Sequence, residues 1–167
     1  MRRQPGFTLM EMLVTAAILS ILAGVAMPVI KVSIQRDKEI ELRRSLRLVR
    51  DAIDSYKKMA DENKIEVEEG GDEDGYPPTL EVLVEGVKLK SKSENRGGEE
   101  SREEAGEEKI VKFLRRIPVD PMTGTKDWGL RSNQDAPDTA NWGGENVYDI
   151  YTKSRRTALD GSKYADW

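Results

Sequence analysis

Apolar positions fall into three regimes along the chain. From Phe7 to Ile30 nearly every residue is apolar, and Met12 to Ile30 carries no formal charge. A helix of that length can span a hydrocarbon core. Further on, the apolar residues thin to a stripe. Leu42, Leu46, Val49, Ile53, Tyr56 and Ala60 recur at steps of four and three, which puts them on one helical face. Nothing breaks the register between the two regimes, so one helix from about Phe7 to about Glu62 is predicted, roughly 80 Å long. Its first half is apolar all round, and its second half is the spine of a soluble domain. Opposite charges at i, i+4 spacing (Glu39 with Arg43, Arg47 with Asp51, Asp54 with Lys58) add a few tenths of a kcal/mol each. Pro28, near Gly24, removes one backbone bond and crowds the preceding turn, so a kink or local unwinding is expected there.

Past Glu62 the pattern shortens. Asp61 to Asp74 reads as a loop. Tyr76-Pro77-Pro78-Thr79 opens a short helix, with Thr79 capping Leu80-Glu81-Val82-Leu83. Ser91 to Ala105 is low in complexity and nearly free of apolar residues, which predicts a flexible acidic insert. Ile110, Val111, Phe113 and Leu114 suit one buried turn of helix ending before Pro118. Asp120-Pro121-Met122-Thr123-Gly124 has the composition of a turn. Lys126 to Arg131 and Val147 to Thr152 alternate like strands, with Val147, Asp149 and Tyr151 on one side and Tyr148, Ile150 and Thr152 on the other. Ser132 to Glu145 and Thr157 to Trp167 read as loops. The fold class expected is α+β: a long helix packed against a small antiparallel sheet that covers Leu46, Val49 and Ile53.

Composition narrows the chemistry. The 167 residues carry 27 Lys and Arg against 31 Asp and Glu, a net charge of −4. Nucleic acid is therefore not the expected partner, because phosphate binding needs a concentrated basic face. Between Asp61 and Glu108 there are 17 acidic residues and 6 basic ones, a solvated surface to which no chemistry is assigned. The chain has no Cys and no His, which removes disulfides, thiolate and imidazole ligands, and the usual nucleophile–base pairs. Any metal would be a hard cation held by oxygens. No enzyme constellation is present.

The N-terminus carries the sharpest signal. Arg2 and Arg3 precede Gly6, and the apolar run that follows contains one carboxylate, Glu11, an expensive residue in a bilayer. Three readings fit composition alone. One is a secretory signal cut near Gly24-Val25-Ala26. A second is a plain single-pass anchor. The third is a short leader removed at Gly6 with the helix retained. Glu11 weakens the first, and so does a helical pattern that continues past the apolar run. Lys31, Arg36 and Lys38 follow the span and blunt the positive-inside bias, so charge does not fix the orientation.

Gly6-Phe7-Thr8-Leu9-Met10-Glu11-Met12-Leu13 closely resembles the cleavage and methylation motif of type IV pilins and of the pseudopilins of type II secretion. Tyr76-Pro77, Ile117-Pro118-Val119-Asp120-Pro121-Met122-Thr123-Gly124, Val147-Tyr148-Asp149-Ile150-Tyr151-Thr152 and Asp160-Gly161 with the final Ala165-Asp166-Trp167 are similar, in the same order, to the segments that follow the long helix in major pseudopilins. Met122 stands where that family usually has an aromatic, the acidic segment is longer than usual, and the final loop spaces its carboxylates differently.

The resemblance implies a pilin-like layout: a leader over 1–6, a transmembrane and assembly half over 7–30, an amphipathic half over 31–62, a variable acidic region over 63–116, and sheet with closing loop over 117–167. It implies cleavage between Gly6 and Phe7 and N-methylation of Phe7 by a prepilin peptidase. It implies assembly through Phe7, Glu11 and Pro28, with Glu11 of one subunit meeting the Phe7 amine of another. In low dielectric that pair offsets two desolvation penalties, whereas the alternative for Glu11 is to snorkel to the interface. In major pseudopilins the final loop binds calcium, which makes Leu159, Asp160, Ser162 and Asp166 the candidates here. The implied partners are further copies of the chain, other pseudopilins and an inner-membrane secretion platform. The chain would be single-pass in the inner membrane with its C-terminal domain in the periplasm. The implied function is a pseudopilus subunit driving protein export across the outer membrane. The alternatives are an adhesion or motility pilus subunit, and a monomeric anchored binding module using Trp128, Trp142 and Tyr148.

Overall fold

A computed structural model describes residues 6–66, 74–90, 109–136, 139 and 141–167, without the side chains of 25–28. The fold is α+β. Helix α1 runs Leu9–Asp61, 53 residues, or about 80 Å. It passes as helix through position 28, without the local unwinding that was one expectation for Pro28; the insert Ser91 to Ala105 and half of the loop to Asp74 lie outside the described residues.

The two halves of α1 meet different surroundings. None of its most apolar stretch is buried within the molecule, and Leu9, Leu13, Ile21 and Leu22 stand exposed. Its other half buries the predicted stripe: Leu42, Leu46, Val49, Ile53 and Tyr56 are all at most 2% exposed, and Ala60 packs at the margin. Each such side chain is worth about 1.5–3 kcal/mol on burial.

The rest of the chain covers that stripe. Helix α2, Leu80–Glu85, starts at the predicted place with Thr79 as N-cap, although the Thr79 side chain makes no capping bond. It contributes Leu80 and Leu83. Strand β1, Val87–Lys88, pairs antiparallel with β2, Ile110–Val111, in the register Val87↔Val111, and Ile65 bridges to Leu89 at the edge. The helical turn expected at Ile110 to Leu114 is therefore a strand. Two consecutive β-branched residues favour the pleated surface over a helical turn, and Val87 offers them a partner. Only Leu114 of that set is fully buried.

Strand β3, Gly129–Arg131, pairs antiparallel with β4, Asp149–Tyr151, through Gly129↔Tyr151 and Leu130↔Ile150, and β4 lies against α1. Two two-stranded sheets thus replace the single sheet expected. The strict alternation predicted over Val147 to Thr152 also fails. Val147 and Ile150 are both fully buried while Tyr148 is half exposed. Regular pairing begins only at Asp149, and Val147 instead donates its N–H to the Pro77 carbonyl.

The expected Glu39–Arg43 pair gives way to longer-range contacts, while an i, i+4 pair forms instead between Lys57 and Asp61. Glu39 is drawn to the C-terminal loop, and Arg43 faces Asp160 rather than Glu39. A contact with another element fixes two segments at once, whereas an exposed pair on one helix contributes little.

Gly129 is required by close approach. A Cβ there would lie 2.3 Å from Cζ of Tyr151, its cross-strand partner, and that ring is itself covered by the Arg131 guanidinium at 4.5 Å. Gly129→Ala is expected to cost about 1–3 kcal/mol, the usual penalty for overpacking. Thermal unfolding of the full chain in detergent should show a melting temperature several degrees lower; an unchanged value would mean that the ring relocates freely.

Candidate functional site

At the N-terminus Gly6, Phe7 and Thr8 precede the helix in non-helical backbone, and Phe7 is 80% exposed. Thr8 is the N-cap of α1: its hydroxyl accepts from the Glu11 N–H at 3.2 Å, and its carbonyl accepts from Met12 N–H at 3.1 Å. Glu11 occupies the first turn, where the helix dipole favours a negative charge. Thr8-Leu9-Met10-Glu11 has the spacing of a capping box, a signal present in the sequence and missed by reading Glu11 for its cost alone. Among the described residues the chain supplies Glu11 with no ion-pair partner. Leader positions 1–5 lie outside the described residues.

The motifs of the C-terminal half converge. The Asp120 carboxylate is fully buried and satisfied by the Met122 N–H at 2.8 Å, the Thr123 hydroxyl at 3.1 Å and the Thr152 hydroxyl. The turn closes by Gly124 N–H to the Asp120 carbonyl at 2.8 Å, with Gly124 at φ +77°, where glycine carries no steric cost. Asp120 thereby joins the turn to the end of β4, and Val147 joins the start of β4 to Pro77. Segments that look unrelated in sequence form one hydrogen-bonded frame.

The closing loop is tied to α1. Glu39 Oε1 accepts from the Tyr164 hydroxyl at 2.8 Å and from the Leu159 N–H at 2.9 Å, while Gln35 Nε2 donates to Tyr164 Oη at 2.9 Å. Burial pushes the Tyr164 hydroxyl pKa up, and its bond to Glu39 adds to the shift. Arg50 Nε donates to Asp149 at 2.6 Å, and Arg50 Nη2 donates to the Trp167 carbonyl at 2.8 Å. The Arg43 guanidinium lies 4.0 Å above the Trp167 ring. Gln35 and Arg50 were not singled out from the sequence, and Glu39 was read only as a partner of Arg43. The usable signal was spacing, because Gln35, Glu39 and Arg43 recur every four residues along one flank of the apolar stripe.

Of the calcium candidates, Leu159, Asp160 and Ser162 share one turn, and Asp166 sits exposed in a 3₁₀ turn, Tyr164–Asp166. Asp160 Oδ1 accepts from the Ser162 hydroxyl at 2.6 Å and the Ser162 N–H at 2.9 Å, and Oδ2 lies 3.7 Å from Arg43. Among the described residues no group of three or more carboxylates is placed to hold a metal. Two carboxylates, a hydroxyl and a carbonyl cover only part of the six to eight oxygens calcium takes, and Arg43 already faces one of them, so the fit is partial. The proposed aromatic binding patch does not form as a unit. Trp128 is buried and donates to the Pro118 carbonyl at 3.0 Å, while Trp142 and Tyr148 remain accessible. The mixture of tryptophan and leucine at alternate positions in Lys126 to Arg131 is core packing.

Residues 1–27 match the family model of the prokaryotic N-terminal methylation motif. The match supports the type IV pilin-like class. No curated protein and no solved structure matches the chain. The long helix with small antiparallel sheets agrees with a pilin-like fold, and the class points to a structural subunit processed by a prepilin peptidase and assembling with its own kind. The long apolar half of α1 points to membrane anchoring.

Ser162 also relays between Asp160 and the Trp167 indole, whose Nε1–H donates to Ser162 Oγ at 2.7 Å. The Ser162 hydroxyl and N–H hold the Asp160 carboxyl below the usual carboxylate range, with a smaller contribution from Arg43. A depressed carboxylate pKa contributes order that is present above its ordinary value of about 4 and lost as pH falls through the lower, folded value. An acid titration of the full chain is expected to show a change in tryptophan emission below about pH 4. Asp160→Asn and Trp167→Phe should each abolish it; persistence of the step in Asp160→Asn would remove Asp160 as its origin.

Proposed function

We propose that this chain is a structural subunit of the pseudopilus of a type II secretion system, polymerising through α1 to drive protein export across the outer membrane. Cleavage after Gly6 exposes the Phe7 amine, which the same prepilin peptidase methylates, and the C-terminal domain stands in the periplasm. Its partners are further copies, other pseudopilins and the inner-membrane platform. The single observation that carries this reading is the division of α1. One half is apolar and uncovered by the described residues, it bears a Glu11 with no ion-pair partner among them, and its start lies in the segment that matches the methylation motif. The likeness of Tyr76-Pro77, Pro118 to Gly124 and Val147 to Thr152 to major pseudopilins favours secretion over motility, and their convergence around Asp120 and Pro77 gives those likenesses a shared structural role.

Glu11 and the new amine of a neighbouring subunit form the assembly contact in this reading. Each charge alone is costly in hydrocarbon, and together they set the axial register. Pro28 marks where α1 loosens within the filament. In cells, Glu11→Ala should be cleaved to the wild-type extent yet lose most of its filament. Efficient assembly of that variant would overturn the pairing, whereas a block in cleavage would place Glu11 in peptidase recognition instead.

Calcium enters this reading as a competitor of Arg43 for Asp160, with Asp166, the Leu159 carbonyl and the Ser162 hydroxyl as further oxygens. Calcium titration of the full chain should raise its melting temperature, more so in Arg43→Ala, where the competing cation is gone. No shift in either protein would eliminate the site.

A further inference from the structure

The three cations that follow the apolar run blunt the orientation signal, and nothing in the assembly reading uses them. Two of them, Lys31 and Lys38, line a cleft of about 470 Å³ between α1 and the closing loop, together with Gln35, Arg156 and Thr157. No carboxylate lines it, although the chain as a whole is acidic. Asp37 and Glu41 line a separate groove with Ile40 and Leu48. Glu39 does not line the cleft, and its Oε1 accepts from the lining residues Gln35 and Tyr164 and from the Leu159 N–H.

Gln35 and Tyr164 spend their donors on Thr157 and Glu39, but the cations of the cleft do not. Lys31 and Lys38 are exposed and have no ion-pair partner among the described residues. Arg156 donates from Nη2 to the Met122 carbonyl at 2.7 Å, which leaves most of its five N–H groups free. Two exposed ammonium groups and a guanidinium, in a cleft whose own lining carries no carboxylate, suit a phosphate.

Position selects the source of that phosphate. Lys31 directly follows the uncharged run that ends at Ile30. At 1.5 Å per residue, Lys38 lies only about 10.5 Å farther along the axis. Headgroup layers extend about 5–8 Å beyond the hydrocarbon on each side. Helical side chains also lean toward the helix N-terminus, here toward the membrane, so both ammonium groups are carried back to headgroup depth. Ile34 and Met122 in the same cleft supply apolar surface for the glycerol and the upper acyl chain.

We propose that this juxtamembrane cleft binds the headgroup of an anionic phospholipid, with Lys31, Lys38 and Arg156 on the phosphate. The site rests on α1 spanning the membrane, as the reading above requires. A bound headgroup fixes the depth of the subunit and sets the closing loop, through Arg156 and Thr157, against the bilayer surface.

The test uses the full chain reconstituted in phosphatidylcholine vesicles, with and without an equal part of phosphatidylglycerol. The lipid retained after detergent extraction is identified by native mass spectrometry. Phosphatidylglycerol should be enriched on the wild-type chain, several-fold less so on Lys31→Gln/Lys38→Gln. Lys31→Arg/Lys38→Arg and the distal control Lys109→Gln/Lys112→Gln should both keep the preference. Equal retention by the glutamine variant and the wild type overturns the proposal. In a parallel arm, inorganic phosphate that protects the chain from unfolding as well as phosphatidylglycerol does would also overturn it, since the ligand would then not be a lipid. A chain that inserts normally but shows no lipid preference sinks the headgroup site alone; one that fails to insert sinks the membrane-spanning reading with it.

Discussion

One helix has to satisfy two solvents, and the remainder of the molecule follows from that. The first half of α1 presents apolar side chains on every side and finds no cover among the described residues, so it needs hydrocarbon or other helices. The second half presents a single apolar stripe and needs a domain. Everything after Asp61 serves that second need: α2, both small sheets and the closing loop are each too short to stand alone, and they are held together by packing on Leu42, Leu46, Val49, Ile53 and Tyr56.

Polar contacts then decide how that cover sits. Gln35, Glu39 and Arg50 project from the flank of the apolar stripe and take up the closing loop, β4 and the Trp167 carbonyl. Asp120 does the same for the turn before β3. A buried carboxylate with three donors is stable where an unsatisfied one would cost several kcal/mol. With no cysteine in the chain to form a disulfide, these hydrogen-bonded ties hold the cover in place.

Legibility from sequence divided along physical lines. The long helix, its buried face, the Thr79 start of α2 and the β3–β4 hairpin were all readable, because periodicity and capping residues are local signals. Ile110 to Leu114 was misread as helix because its strand partner, Val87, lies across the acidic insert. The face assignment of Val147 to Thr152 failed because Val147 bonds to Pro77 rather than to a neighbouring strand. At the candidate site, the N-terminal motif was readable, and residues 1–27 match its family model. The ties made by Glu39 and Arg50 were not, since their partners lie 99 to 125 residues away.

The sequence by itself determined that the chain carries an apolar helix with one charge near its start, continuous with an amphipathic spine, and that histidine and cysteine chemistry is absent. Spacing along one helix and residue identity suffice for those statements. Only the tertiary structure decided which charges pair, that Trp128 belongs to the core, and that Lys31, Lys38 and Arg156 share a cleft free of carboxylates. Those facts depend on which distant segments the apolar stripe draws together, and no local pattern encodes that.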